Sequence, residues 1–225
     1  MIEFFSYMGL KEKLLSHYQN NEDSSEVRER QKIIIEEQDL MRMAQNGRSD
    51  AFGRLYERYL PKIYGYAYHK VGRHELAEDI AANTFIRAFK NLSKYTPREN
   101  ISPIAWFFRI AHNDLANWYR DNHRSNDSLS FEDTPSALIN KPADNSPEES
   151  AEKREERNRV INALSKLKSR RMGQDQYEVL VLKYGYDMSD KEIAEAIEKT
   201  YGATKALAHR GLVNLRTIIK EENGD

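Results

Sequence analysis

Apolar residues recur at helical spacing through most of this chain, and no segment shows the strict alternation of a half-buried strand. Ala51, Phe52, Leu55, Tyr56, Tyr59 and Leu60 predict one helix, and Ile63, Tyr64, Ala67, Tyr68 and Val71 continue it. Pro61 predicts a short break or the first turn of a following helix. Gly72 is a stop signal. A helix from about His74 to Leu92 follows, with Leu76, Ile80, Thr84, Phe85 and Ala88 on one side. After the loop SKYTPRENIS, Pro103 opens a long helix to about Asn122 whose buried stripe is Ile104, Phe107, Phe108, Ala111 and Leu115. The pattern returns from about Ser150. Ala163, Leu164 and Leu167 end one helix, and Tyr177, Val179, Leu180, Leu182 and Tyr184 form another closed by Gly185.

The remaining segments break this periodicity. Residues 1–38 form an N-terminal extension, with short helices expected around 3–18 and 25–46. Residues 125–150, SNDSLSFEDTPSALINKPADNSPEES after Arg124, are rich in Ser, Asp, Asn and Pro. Such a composition buries too little apolar surface to offset its ordering entropy, so it is expected to be a flexible acidic linker. The expected organisation is therefore all-α. A three- or four-helix domain spans 39–124, a helix-turn-helix domain spans 151–220, and residues 221–225 are a tail.

The clearest local motif is Ser189–Leu215, SDKEIAEAIEKTYGATKALAHRGLVNL. Ser189 with Glu192 three residues on is a capping box. Ile193, Ala194 and Ile197 are expected to face a core. The turn is expected at EKTYG, with Gly202 at positive φ, and a second helix from about Ala203 to Ile218. Its expected core face is Ala206, Leu207, Leu212, Leu215 and Ile218. Thr204, Lys205, Ala208 and His209, with Arg210 beside them, are expected on the exposed face. The start of such a helix enters the DNA major groove, where Thr204 and Lys205 reach base edges or phosphates and Arg210 and Arg216 hold the backbone.

A second candidate is NDLANWYRDNHR from Asn113, which puts Trp118 and Tyr119 beside Arg120, with His123 and Arg124 a turn later. Aromatic faces stack on unpaired bases and arginines hold phosphates. A helical Trp that simply caps a core is the competing reading of Trp118.

Charge separates these blocks more sharply than the net value of −1 suggests. Lys and Arg minus Asp and Glu gives −3 over 1–38, +5 over 39–124, −4 over 125–159, +4 over 160–220 and −3 over 221–225. Binding nucleic acid requires local positive charge rather than a basic average. The 225 residues contain no cysteine, which excludes disulfides and thiolate chemistry. No run approaches the roughly 20 apolar residues of a membrane span. The opening MIEFFSYMGLKEKLL has no basic n-region and no small-residue cleavage site, so it does not read as a signal peptide. A cytoplasmic protein without membrane insertion is expected. The chain carries no phosphate-binding glycine loop, HExxH or nucleophile motif, and its histidines are scattered. No enzyme, metal site or cofactor is expected.

Three segments, taken in order, resemble bacterial RNA polymerase sigma factors of the extracytoplasmic-function group. AEDIAANTFIRAFKNLSKY resembles that family's polymerase-binding segment. IAWFFRIAHNDLANWYRDNHR resembles its promoter-melting helix, and SDKEIAEAIEKTYGATKALAHRGLVNLR its second DNA-binding motif. The resemblance implies a factor that binds core RNA polymerase at the β′ clamp and β flap. Such a factor directs initiation by reading a −35 duplex and a melted −10 element.

In residues, it implies polymerase contacts at Asp79, Asn83, Thr84 and Arg87 in the Glu78–Arg87 helix. It implies −10 contacts at Tyr95, Arg98, Asn117, Trp118, Arg120 and Arg124, with a flipped base held near the loop Ser93–Ser102. It implies −35 contacts at Thr204, Lys205, Ala208, His209 and Arg210. The acidic linker would run through the polymerase, and an anti-sigma factor or other regulator would be a further partner. The sequence departs from the family at Ala82-Asn83, where Gln-Glu is usual, and at Asp121, Asn122 and His123, which replace part of an arginine run. The competing class is an ordinary helix-turn-helix regulator that binds operator DNA without polymerase.

Overall fold

A computed structural model describes residues 24–125, 151–170 and 173–223. Eight α-helices form among them: α1 (Ser24–Gln45), α2 (Ser49–Val71), α3 (His74–Lys90), α4 (Ile104–Ser125), α5 (Ala151–Ser169), α6 (Gly173–Leu180), α7 (Asp190–Ala196) and α8 (Tyr201–Asn223). The described residues contain no strand. They divide into two compact units, one mainly of α1–α4 and the other mainly of α5–α8.

In the first unit α2 packs on α1, α3 and α4, and α3 on α4. Its core is aromatic. Phe107 of α4 lies within ring-contact distance of Tyr59 (5.2 Å), Phe85 (5.3 Å) and Trp106 (5.4 Å), and Tyr66 meets Phe108 edge-on at 5.1 Å. Edge and tilted contacts of this kind add to the burial energy of large rings. All of the stripe expected on α4, Ile104, Phe107, Phe108, Ala111 and Leu115, is buried.

Pro61 does not break its helix. It is exposed in the middle of α2, so the missing N–H falls on the side where water can satisfy the freed carbonyl. Gly72 ends α2 in the left-handed region at φ 66°, its N–H bonded to the Tyr68 carbonyl, the familiar way of closing a helix with glycine. Helix α1 covers Ser24–Gln45 where 25–46 was expected. The helix expected at 3–18 and the linker lie outside the described residues.

The second unit centres on Ala163, Leu167, Leu180, Leu215 and Ile218, with Leu164, Tyr184, Leu212 and Ile219 packed around them. Helix α6 continues into a π-helical turn at Val181–Gly185, closing at the glycine the sequence marks. Helix α8 lies close against α6 at Gly211. A Cβ there would meet Leu180 side-chain atoms at 3.1 Å and Gln176 Cβ at 3.3 Å. A hydrogen bond of 2.7 Å from Asn214 Nδ2 to Gln176 Oε1 closes the same seam. Gly211→Ala should therefore leave stability within about 1 kcal/mol of the parent, because helix propensity offsets the tight contact. Gly211→Leu should lower it by about 1–3 kcal/mol through overpacking. Thermal unfolding of the two variants checks both.

Candidate functional site

The helix-turn-helix is built from α7 and α8. The capping box is formed in full. The Glu192 carboxylate accepts the Ser189 N–H (2.7 Å) and Oγ–H (2.8 Å), and Ser189 Oγ accepts the Glu192 N–H (3.3 Å). This satisfies free donors at the start of α7. Ile193, Ala194 and Ile197 are buried as expected.

The turn differs from the sequence expectation. Positive φ falls on Glu198 (53°), and Gly202 sits inside α8. Thr200 opens that helix, its Oγ1 accepting the Ala203 N–H at 3.2 Å, a polar N-cap in the preferred position. The helix thus begins about two residues earlier than expected, and its faces follow from the core that holds it. Thr204, Leu207, Ala208, Gly211, Leu215 and Ile218 are buried, while Ala206 and Leu212 are only half-buried.

Two expected −35 contacts are corrected by this packing. Thr204 is fully buried with its hydroxyl on the Thr200 carbonyl (3.1 Å), and Ala208 packs inward at 6% exposure. Lys205, His209 and Arg210 are exposed, as are Tyr201, Val213 and Arg216. The Lys205 ammonium lies 5.7 Å from the Tyr201 ring centroid, a cation–π distance. Tyr201 and Val213 were absent from the sequence reading. Their signal was an apolar residue in excess of what one buried face needs.

On α3 the sequence-predicted residues divide in the same way. Asp79, Asn83 and Arg87 are exposed. Thr84 is fully buried, its hydroxyl donating to the Ile80 carbonyl at 2.8 Å, so its expected surface contact is corrected to a packing role. Arg87 pairs with Asp114 of α4. Burial pushes the Asp114 carboxyl above its ordinary value, and Arg87 opposes that rise. Beside these polar groups the outer face of α3 presents Ile86 (50% exposed) and Phe89 (56%), with Tyr56 of α2 also exposed. Phe89 rests edge-on against Phe52 at 5.1 Å. The sequence reading missed this apolar patch, although Ile86 and Phe89 lie off the stripe that packs inward.

The loop after α3 begins with a 3-10 turn at Leu92–Lys94. Tyr95, expected at DNA, is buried with its ring 5.5 Å from Trp106. This packing removes the side chain from the exposed position expected for a −10 DNA contact. Residues Thr96–Asn100, Arg98 among them, are exposed.

Along the far end of α4, Asn117 accepts a hydrogen bond from Arg120. Trp118 is half-buried with its ring 5.0 Å from Tyr119. The Tyr119 hydroxyl donates to the Lys70 carbonyl and ties the end of α4 to α2. Trp118 is thus partly exposed while Tyr119 braces the helix. Arg124 lies within α4, and its side chain is outside the described residues. Among the described residues no helix is long and apolar enough to cross a membrane.

The described residues thus place an aromatic and basic helix in one unit and a capped helix-turn-helix in the other. Residues 55–125 match the family model described as Sigma-70 region 2. The chain is similar to the ECF RNA polymerase sigma factor BldN of Streptomyces coelicolor, at 29% identity over 82% of this chain and 66% of BldN. It thus spans about two thirds of that relative's length. It is also similar to the RNA polymerase sigma factor CarQ of Myxococcus xanthus, at 29% identity over 80% of this chain and 96% of CarQ. The ECF sigma factor SigW of Bacillus subtilis matches at 28%, over 80% of this chain and 95% of SigW.

Among solved structures, the sigma factor RpoE bound to the anti-sigma factor NepR from Bartonella quintana shares the fold. Its TM-score is 0.56 and its identity 20%, over 75% of this chain and 96% of that one. CnrH in complex with the cytosolic domain of CnrY gives 0.55 and 21%, over 83% and 98%. Residues 55–125 thus match Sigma-70 region 2, and the chain is similar to extracytoplasmic-function RNA polymerase sigma factors over about four fifths of its length.

Proposed function

We infer that this sigma factor works by holding core RNA polymerase through the outer face of α3 and promoter DNA through two separate surfaces. Asp79, Asn83 and Arg87, with Ile86 and Phe89, are the polymerase-facing set, against the β′ clamp. The loop Ser93–Ser102 and the end of α4 capture the opened −10 strand, with Arg98, Trp118, Arg120 and Arg124 in contact and Asn117 orienting Arg120. Lys205, His209 and Arg210 read the −35 duplex, with Tyr201 and Arg216 beside them, in a domain that meets the β flap. Residues 39–124 and 151–220 act as the two working domains. Residues 125–150 are the connection between them.

The observation that carries this reading is the exposed apolar and polar face of α3, with Ile86 and Phe89 beside Asp79, Asn83 and Arg87. A DNA-binding module acting alone gives no reason for it. The protein performs no covalent chemistry, and strand opening is driven by capture of exposed bases. It acts in the cytoplasm and needs no cofactor. An anti-sigma protein is a further partner in this proposal.

The deciding experiment is transcription by core polymerase from a promoter library, with and without the purified chain. New start sites preceded by a common −35 and −10 pair are expected. A footprint on a symmetric duplex site, with no dependence on polymerase, would instead make the protein an ordinary operator-binding regulator.

A further inference from the structure

Helix α1 grips the loop between α3 and α4 at both of its ends. Gln38 Nε2 donates to the Arg98 carbonyl (2.8 Å) and the Ile101 carbonyl (2.9 Å). Two helical turns further on, Gln45 Nε2 donates to the Leu92 carbonyl (2.9 Å) and the Tyr95 carbonyl (2.8 Å). A glutamine amide has two N–H donors, and both are used at each position. Because the partners are all carbonyl oxygens, only the amide nitrogen can make these contacts.

A third tie joins the same helix to the start of α4. The buried Glu37 carboxylate accepts the Ser102 hydroxyl, and Ser102 Oγ accepts the Ile104 N–H at 3.2 Å. Arg58 of α2 lies 3.5 Å from the other Glu37 oxygen. The point where the loop ends and α4 begins is therefore set from α1. Burial, with Glu37 adding to it, holds the neighbouring Tyr59 phenol well above its ordinary value, so that side of the site keeps its hydroxyl protonated.

Between Tyr95 and Ile101 the side chains of Thr96–Asn100 are exposed, with the Arg98 carbonyl held midway by Gln38, and Asn100 takes a left-handed φ of 59°. Ends fixed by paired carbonyls leave a short tip with few conformations. We propose that Gln38 and Gln45 are positioning residues for −10 recognition, presenting the loop tip in the shape that receives a base of the opened strand. This rests on the assignment of the loop to −10 DNA given above. A binding loop held in advance does not have to be ordered when its ligand arrives. Supporting hydrogen bonds behind the contacting residues are the usual means of achieving this.

The test uses the full chain with core polymerase and a library randomised at both promoter elements. Gln38→Met with Gln45→Met keeps side-chain length and removes the four donated bonds. The variant is expected to lose about tenfold of its discrimination at the −10 base, while −35 preference and affinity for core polymerase stay within about twofold. Amide exchange over residues 96–101 should rise by about tenfold on the same grounds. Gln38→Glu, which sets carboxylate oxygens against the two carbonyls, should be at least as damaging.

Unchanged −10 discrimination in the folded double variant overturns the proposal. If the double variant loses helical content, Gln38→Met alone is read by the same two preferences, with the same outcomes. Arg98→Ala and Thr96→Ala separate the layers of the argument. If these tip variants leave −10 discrimination intact, the loop does not read DNA and the underlying assignment fails. If they alter it while the glutamine variants do not, only the anchoring role fails.

Discussion

Phe89→Asp should remove this protein from RNA polymerase while leaving its fold intact. The ring is 56% exposed and Ile86 beside it 50% exposed, so neither is needed to close the core around Phe85 and Phe107. Large apolar side chains of this kind are worth about 1.5–3 kcal/mol each when a partner buries them, and central anchors of an interface cost about 2 kcal/mol or more on truncation. A carboxylate in the same place adds an unpaired charge to an apolar contact. Affinity for core polymerase, measured by competition with a labelled sigma factor, is expected to fall about 100-fold. The melting temperature should stay close to that of the parent. Affinity within twofold of the parent would place the polymerase-binding face elsewhere. Thr84 supplies the contrast. It is fully buried and bonded to the Ile80 carbonyl, so substitutions there should act through stability rather than through the interface.

The second large effect is expected on the exposed face of α8. Lys205→Ala with Arg210→Ala should reduce transcription from promoters that depend on their −35 element by about 10–100-fold, at about 1–3 kcal/mol for a good base contact. Each lost phosphate contact should also lower the salt dependence of duplex binding by about one unit of log–log slope. Promoters whose −35 element has been scrambled provide the control, since both forms should use them equally poorly. An unchanged ratio between the two promoter sets would show that this helix does not read the −35 duplex. Thr204→Val is again the structural counterpart, because that hydroxyl faces the Thr200 carbonyl inside the unit.

These two expectations draw on different levels of information. The helices and most of their inward faces were legible in the chain, because a 3.6-residue period is written directly in the order of apolar residues. The stripe Ile104, Phe107, Phe108, Ala111 and Leu115 and the Ser189–Glu192 capping box are examples. Stop signals at Gly72 and Gly185 were legible for the same local reason.

Positions that share a sequence pattern but differ in what packs against them were not. On α8, the early start at Thr200 and the close approach of Gly211 to Leu180 turned Thr204 and Ala208 inward. On α3, the stripe used only one side of a helix carrying more apolar residues than it can bury, and that left Ile86 and Phe89 outside. Tyr95, expected at the −10 DNA, is buried beside Trp106.

The chain by itself therefore determined the helices of the described residues, the family that its motifs resemble and the segments that carry charge and aromatic rings. Local order and composition contain all of these. Only the tertiary structure decided which face of each helix remains exposed and which loop is tied to a distant helix. The glutamines of α1 show why. Gln38 and its Ile101 partner are 63 residues apart, and Gln45 and Tyr95 are 50 apart. A side-chain amide meeting a backbone carbonyl over such a separation leaves no local trace, since every residue offers the same carbonyl and folding alone selects one.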